Sequence, residues 1–147
     1  MVKYLFLSLF GLFFTLIGPA LGAEWTALPS GLSYRDDVVG PGAEVVSGAL
    51  VTVHYRGTFP DGRLFDASHA GDRPPFRFVE EMTYLLPGWT EGVKGMRVGG
   101  KRTLNLPPAL AYGAVGVKGV IPGGAVLLYE VEVVSVEPPP AAPPASN

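Results

Sequence analysis

Seven aromatic residues recur where strands or a helix would end, or in a long loop: Tyr55, Phe65, Phe76, Phe78, Trp89, Tyr112 and Tyr129. Grouped around a hollow, they would line an apolar cavity. Packed together, they would be plain core, and pattern alone leaves both readings open. One carboxylate, Asp66, follows Phe65 directly. Neighbours on a regular strand point to opposite faces. An aspartate that reaches an aromatic cavity must therefore sit at a strand end or a bulge.

Other chemistries lack their parts. His54 and His69 are the two histidines, cysteine is absent and no HExxH occurs, so no metal-ligand spacing is present. No metal and no cofactor is expected. Serines lack the Gly-x-Ser-x-Gly setting of a nucleophile. Gly95 to Lys101 does spell G-x-x-x-x-G-K, but Arg102 stands where Ser or Thr should hold magnesium. The order there is helix, loop, strand. A phosphate loop runs strand, loop, helix, so that helix amides face the anion.

The elements that must position these residues are mostly strands. Leu32 and Tyr34 alternate with polar residues before the turn cluster Gly40-Pro41-Gly42. Further on, Val51, Val53 and Tyr55 share one face, with Thr52, His54 and Arg56 on the other. Pro60-Asp61-Gly62 is a tight-turn signature that folds this strand back into RLFDAS. A short PFRF strand follows, then a helix, then KRTLNL, where Arg102, Leu104 and Leu106 alternate with Lys101, Thr103 and Asn105. A glycine-rich loop from Pro107 to Gly124 precedes a last strand with Leu127, Tyr129, Val131 and Val133 on one face.

The helix is odd. It lies in LPGWTEGVKGM, residues 86–96, and Gly92 and Gly95 each cost about 1 kcal/mol against alanine. A helix of about ten residues forms only by packing an apolar face. Trp89, Val93 and Met96 supply that face at i, i+4 and i+7, and the two glycines would let backbone approach the sheet closely. Helical side chains lean toward the N-terminus, so Trp89 in the first turn points beyond the helix end. It would floor a cavity between helix end and sheet. The whole reads as α+β, an antiparallel sheet on which one short helix lies.

The flanks differ from this domain. Residues 1–22 have Lys3, an apolar run from Tyr4 to Ile17, the breaker Gly18-Pro19 and the small residues Ala20 and Gly22. That is the layout of a secretory signal peptide. Its apolar run is shorter than the roughly 18–20 residues of a spanning helix, which makes an uncleaved anchor the lesser alternative. No cysteine follows for lipid attachment. Residues 138–147, PPPAAPPASN, read as an extended disordered tail. Residues 23–137 are the domain, large enough for one core. Without Lys3 the balance is 10 basic (11 less 1) and 13 acidic residues, a net charge of −3. With no block of like charge, neither nucleic acid nor an anionic membrane is indicated as partner. Lacking disulfides, the domain must rely on packing.

Five ordered motifs make the chain similar to a known family. They are V-x-V-H-Y-x-G (Val51 to Gly57), D-G-x-x-F-D-A-S (Asp61 to Ser68), P-F-R-F (Pro75 to Phe78), P-G-W-x-E-G-V-x-G-M-x-V-G-G-K-R (Pro87 to Arg102) and A-Y-G…I-P (Ala111 to Gly113, Ile121-Pro122). Together they resemble FKBP-type peptidyl-prolyl cis-trans isomerases over nearly all of Leu32 to Val136. The resemblance implies an antiparallel sheet wrapped around one short helix. It implies a pocket lined by Tyr55, Phe65, Asp66, Phe76, Leu85, Leu86, Trp89, Tyr112, Ile121 and Tyr129, with Trp89 under the substrate's proline ring. Asp66 and Tyr112 would carry the catalysis, Tyr112 and the Ile121 N–H each donating to a carbonyl of the substrate.

The same resemblance implies proline-containing folding proteins as substrates, macrolide inhibitors as ligands, and a periplasmic or secreted monomer free of the membrane after cleavage. The chain departs from the family pattern at Leu85-Leu86, at Glu80-Glu81-Met82 in place of a Leu-Gly stretch, and at Val117. A proline-binding module with little catalysis, and a structural domain with a sealed aromatic core, are the rival readings.

Overall fold

The structure is a computed structural model that describes residues 23–68, 72–81 and 84–141. The expected signal peptide, His69 and most of the expected tail fall outside these residues. Seven strands and one helix follow in order: β1 (Thr26–Ala27), β2 (Ser33–Val38), β3 (Leu50–Thr58), β4 (Leu64–Ala67), β5 (Phe76–Val79), α1 (Pro87–Val93), β6 (Lys101–Leu106) and β7 (Leu127–Glu137). They form one antiparallel sheet with the path β1-β2-β6-β7-β3-β4, and β5 shares the outer edge of β3 with β4. Only the two-residue β1 escapes sequence reading, because two residues carry no period.

The alternating positions face one core. Val51 and Val53 of β3, Leu104 and Leu106 of β6, and Leu127, Tyr129, Val131 and Val133 of β7 are all buried there. Trp89 and Val93 of the helix close it.

α1 has seven residues, fewer than the ten expected. It starts with Pro87 at its first position, where the missing N–H costs nothing. It stops because Lys94 is extended and Gly95 takes φ +77°. Met96 still reaches the core, from beyond the helix end. The expected pair of close-approach glycines is accordingly shifted. A Cβ on Gly92 would lie 2.7 Å from Leu104 Cδ1, and one on Gly88 would lie 2.6 Å from Leu106 Cγ, whereas one on Gly95 would meet nothing nearer than 4.0 Å. Gly88 and Gly92, four apart on one helix face, seat α1 directly on β6.

The last turn of a helix leaves carbonyls without partners. Here Arg102 supplies the donors. Its Nη1 donates to the carbonyls of Gly92 (2.8 Å) and Lys94 (3.2 Å), while Nε and Nη2 grip both carboxylate oxygens of Asp36 (2.7 and 3.1 Å). The guanidinium also lies 4.2 Å over the Tyr34 ring. The charge on the apolar face of β6 is thus fully paired, and it anchors the helix opposite its Trp89 end.

Candidate functional site

Trp89 stands at the N-terminal end of α1, with rings around it almost perpendicular to its plane. Centroid distances are 5.2 Å to Tyr129, 5.3 Å to Tyr55, 5.9 Å to Phe78 and 6.0 Å to Phe76. Edge-to-face contacts of this kind set positive ring edges against negative faces, and each adds about 0.5–1.5 kcal/mol beyond burial. A rigid cup results, with Trp89 only 5% exposed at its base. Above it opens a cleft of about 160 Å3 lined by Tyr55, Asp66, Phe76, Tyr84, Leu85, Leu86, Trp89, Tyr112 and Tyr129.

Asp66 reaches this cleft through a bulge. Gly57 pairs with Asp66 but Thr58 pairs with Leu64, so Phe65 is the extra residue in β4. The irregularity lets two successive side chains serve the same aromatic side. Phe65 packs behind the cleft, 5.5 Å from Tyr129 and 5.2 Å from Phe59. Gly57 is needed opposite, since a Cβ there would come 2.6 Å from Phe65 Cζ. Asp66 instead turns to the cleft and accepts from Tyr55 Oη (2.6 Å), Arg73 Nη1 (2.9 Å) and the Ala67 amide (2.9 Å). Burial, then the hydrogen bond to Asp66, pushes the Tyr55 phenol above its ordinary pKa, so it stays a donor. Burial first, then the neighbouring Tyr112, does the same for Tyr129.

Tyr55 needs a second kind of support. β5 pairs with β3 as far as Val53 and β4 begins at Arg56, leaving His54 and Tyr55 between them on that edge. Ser68 fills the gap. Its amide donates to the Tyr55 carbonyl (3.0 Å), and its hydroxyl accepts from the Tyr55 amide (3.0 Å). Backbone groups must be paired somewhere, and here a serine completes the edge beside the key tyrosine.

Of the ten pocket residues expected, eight line the cleft. Phe65 stands behind it, and Ile121 is buried in the long loop with its N–H donated to the Val117 carbonyl (2.8 Å). That bond removes the Ile121 amide as the expected donor to a substrate. Val117 and Ile121 form a bridge that folds the loop on itself, and Gly124 ties back to the Gly113 carbonyl (2.8 Å). Tyr112, 38% exposed, is held at the rim of this knot. At the cleft wall, Leu86 uses its carbonyl to start α1, accepting from Trp89 (2.9 Å), while its N–H has no acceptor among the described residues.

Sequence reading missed three contributors. Tyr84, Arg73 and Ser68 lie in loops or at a strand end, where no periodicity ranks one polar or aromatic residue above another. Tyr84 had one usable signal, its place directly before Leu85-Leu86.

A larger hollow, about 270 Å3, lies across the other face of the sheet among Asp37, His54, Arg56, Lys101, Glu130 and Glu132. Its charges alternate in sign and pair across strands, as in Lys101–Glu132 (3.6 Å). Tyr55 is the one Phe, Tyr or Trp among its lining residues, against six such rings around the smaller cleft, so the smaller cleft is the better site despite its size. No group of three or more metal-ligating side chains occurs among the described residues.

Comparison with known proteins follows the same lines. The family model described as FKBP-type peptidyl-prolyl cis-trans isomerase matches residues 42–134. The FK506-binding protein of Neisseria meningitidis serogroup B is 42% identical over 106 residues, covering 72% of this chain and 96% of that protein. The crystal structure of AtFKBP13 superposes with a TM-score of 0.71 at 39% identity, covering 76% of this chain and 98% of that one. FkpA from Escherichia coli gives 0.70 at 38%, covering 79% and 53%. The chain spans less than two thirds of the length of several curated relatives, 58% of FKBP13 of Arabidopsis thaliana and 40% of FkpA of Escherichia coli.

Proposed function

This chain belongs to the FKBP-type peptidyl-prolyl cis-trans isomerase family, and from that premise we propose that it accelerates rotation about X-Pro bonds in other proteins. The observation that carries the reading is the aromatic cup: a nearly buried Trp89 under an open cleft, with the Tyr55–Asp66 pair in its wall.

Rotation about such a bond faces a barrier of about 18–20 kcal/mol, because the C–N bond has partial double-bond character. No bond is made or broken. The planar amide is more charge-separated than the twisted one, and water favours it by hydrogen bonding. A proline ring seated on Trp89 brings its amide into an apolar enclosure, where that preference is lost. Groups placed for the twisted amide then act as selective stabilisers of the transition state.

Tyr112 donates its hydroxyl to a substrate carbonyl. The Leu86 N–H, at the cleft wall, takes the second donor role in place of Ile121. Asp66, fixed by three donors, presents its charge to the twisting amide while keeping Tyr55 oriented. Phe76, Leu85, Leu86 and Tyr129 exclude water around the ring.

The ligands that fit are proline-containing segments of folding proteins and macrolides that mimic proline. Export follows from residues 1–22, with cleavage after Gly22 or Ala23 and a monomer released to the periplasm or exterior. Mass spectrometry of the exported protein should place its N-terminus within a residue or two of Ala23.

A protease-coupled assay on a proline peptide tests the activity. Acceleration that a proline-mimicking macrolide abolishes supports it. Saturable macrolide binding without acceleration would mean a binding module, and no binding at all would mean a structural domain.

A further inference from the structure

Arg73 is followed by Pro74 and Pro75, and then by Phe76, the first residue of β5 and part of the cleft lining. Each proline fixes its own φ, and the residue before a proline is biased toward extended backbone. The run from Arg73 to Pro75 is therefore a stiff stalk rooted in the cleft wall. From it Arg73 reaches Asp66, Nη1 donating to Oδ1 at 2.9 Å. Both partners stay open to solvent, the Arg73 side chain at 60% exposure and that of Asp66 at 40%. Nε and Nη2 of Arg73 make no hydrogen bond among the described residues. Asp66 is the only charged residue among those that line the cleft; the others are aromatic or leucine.

An exposed ion pair of this kind adds little to stability, so its consequence lies in what it offers a guest. Without Arg73, the wall formed by Asp66 would carry an uncompensated negative charge. With it, that wall is neutral and keeps unused guanidinium donors on its outer side. A guanidinium is a planar fork that matches a carboxylate, and here Asp66 already holds it in place.

We propose that Arg73 is a specificity-determining residue: it makes the cleft prefer substrates with an acidic residue directly before the proline and disfavour those with a basic one there. The inference rests on reading the cleft as the site of X-Pro rotation. In that reading Asp66 faces the amide whose carbonyl belongs to residue X. The side chain of X starts two bonds from that carbonyl carbon, so it projects past the same wall. An acidic side chain meets the free N–H groups of Arg73. A basic one meets a like charge, and it can gain Asp66 only by displacing Arg73. A neutral one is indifferent to both.

The test takes the protein and its Arg73→Gln and Arg73→Lys variants in a protease-coupled assay. The peptides differ only in Glu, Gln or Lys before the proline. For the parent, kcat/KM should fall by about threefold from Glu to Gln and again from Gln to Lys, the scale of an exposed ion pair. Arg73→Gln should reverse that order, because Asp66 then acts alone, while Arg73→Lys should keep it in weaker form. A change in general activity from loosening Asp66 affects all three peptides alike and cancels in the ratios. At about 1 M salt, where charges are screened beyond roughly 3 Å, the parent's ratios should shrink. Parent ratios near one, or an order that Arg73→Gln leaves unchanged, would overturn the proposal. If no peptide is accelerated, the isomerase reading fails instead, and the same ratios read as affinities by calorimetry still decide the role of Arg73.

Discussion

The two ends of α1 solve the same problem by opposite chemistry. At the C-terminal end, a buried arginine meets the Gly92 carbonyl of the helix, the Lys94 carbonyl just beyond it and the Asp36 carboxylate. At the N-terminal end, four aromatic rings hold Trp89 by shape and quadrupole, and the space beyond is left open. Charge-assisted bonds are directional and saturate. Aromatic packing holds a surface in place and leaves that surface free for a guest. One end fastens the helix so that the other can bind.

Breaking the fastened end should have the largest effect. Arg102→Met keeps the apolar stem but strands Asp36 and two carbonyls, and should cost about 3 kcal/mol in a urea unfolding curve. Turnover per folded molecule should change little. A loss below about 1 kcal/mol would mean the clamp is ornamental to stability.

At the open end, Asp66→Ala should lower kcat about a hundredfold, the scale of losing one group aimed at a transition state. Inhibitor affinity should fall much less. Should this variant turn over like its parent, desolvation alone carries the catalysis and Asp66 merely holds Tyr55.

Trp89→Leu keeps an apolar floor while removing the ring edges' partner. Binding of a macrolide should weaken about tenfold, with kcat falling no more than that, as for a largely uniform contact. Circular dichroism must first show the helix intact, because the cup and the helix share this residue.

Gly92→Ala probes the seat between the two ends. The added methyl meets Leu104 at 2.7 Å, so overpacking should outweigh the roughly 1 kcal/mol of helix propensity gained, for a net loss of about 1 kcal/mol. The same change at Gly95 should also destabilise, but through its φ of +77° and not through contact with β6.

The smallest effect concerns stability and pH. The folded state raises the Glu80 pKa, so the folded chain keeps a proton that the unfolded chain releases near 4.5. Any stability from this is fully present below pH 4.5 and is lost as pH rises through the folded value. Glu80→Leu should therefore flatten the melting curve's pH dependence and gain on the order of 1 kcal/mol at pH 8. An unchanged slope would place the titrating group elsewhere.

Much of this was legible beforehand where a period existed. The faces of β3, β6 and β7 follow from alternation, and Trp89 at a helix end follows from the backward tilt of helical side chains. That an Asp66 reaching the aromatic cavity must sit at a strand end or a bulge came from strand geometry alone, and the bulge at Phe65 is the one of the two that occurs. Reading failed where two distant loops meet. Nothing in the order of residues says that Arg73 caps Asp66, that Ser68 completes the edge at Tyr55, or that Ile121 spends its amide on Val117.

By itself, then, the sequence determined which residues are apolar, which faces they occupy and which motifs recur in order, because these are local properties with periods of two or 3.6 residues. Only the tertiary structure decided where α1 stops, which glycines touch β6, which amides the loops use and that Glu80 is buried. Those depend on what lies a few ångströms away through space, and a hydrogen bond made in one loop is unavailable to a guest. For the same reason Arg102 could be placed on the apolar face of β6 from its spacing, but its three hydrogen-bond partners, eight to sixty-six residues away, had to be seen.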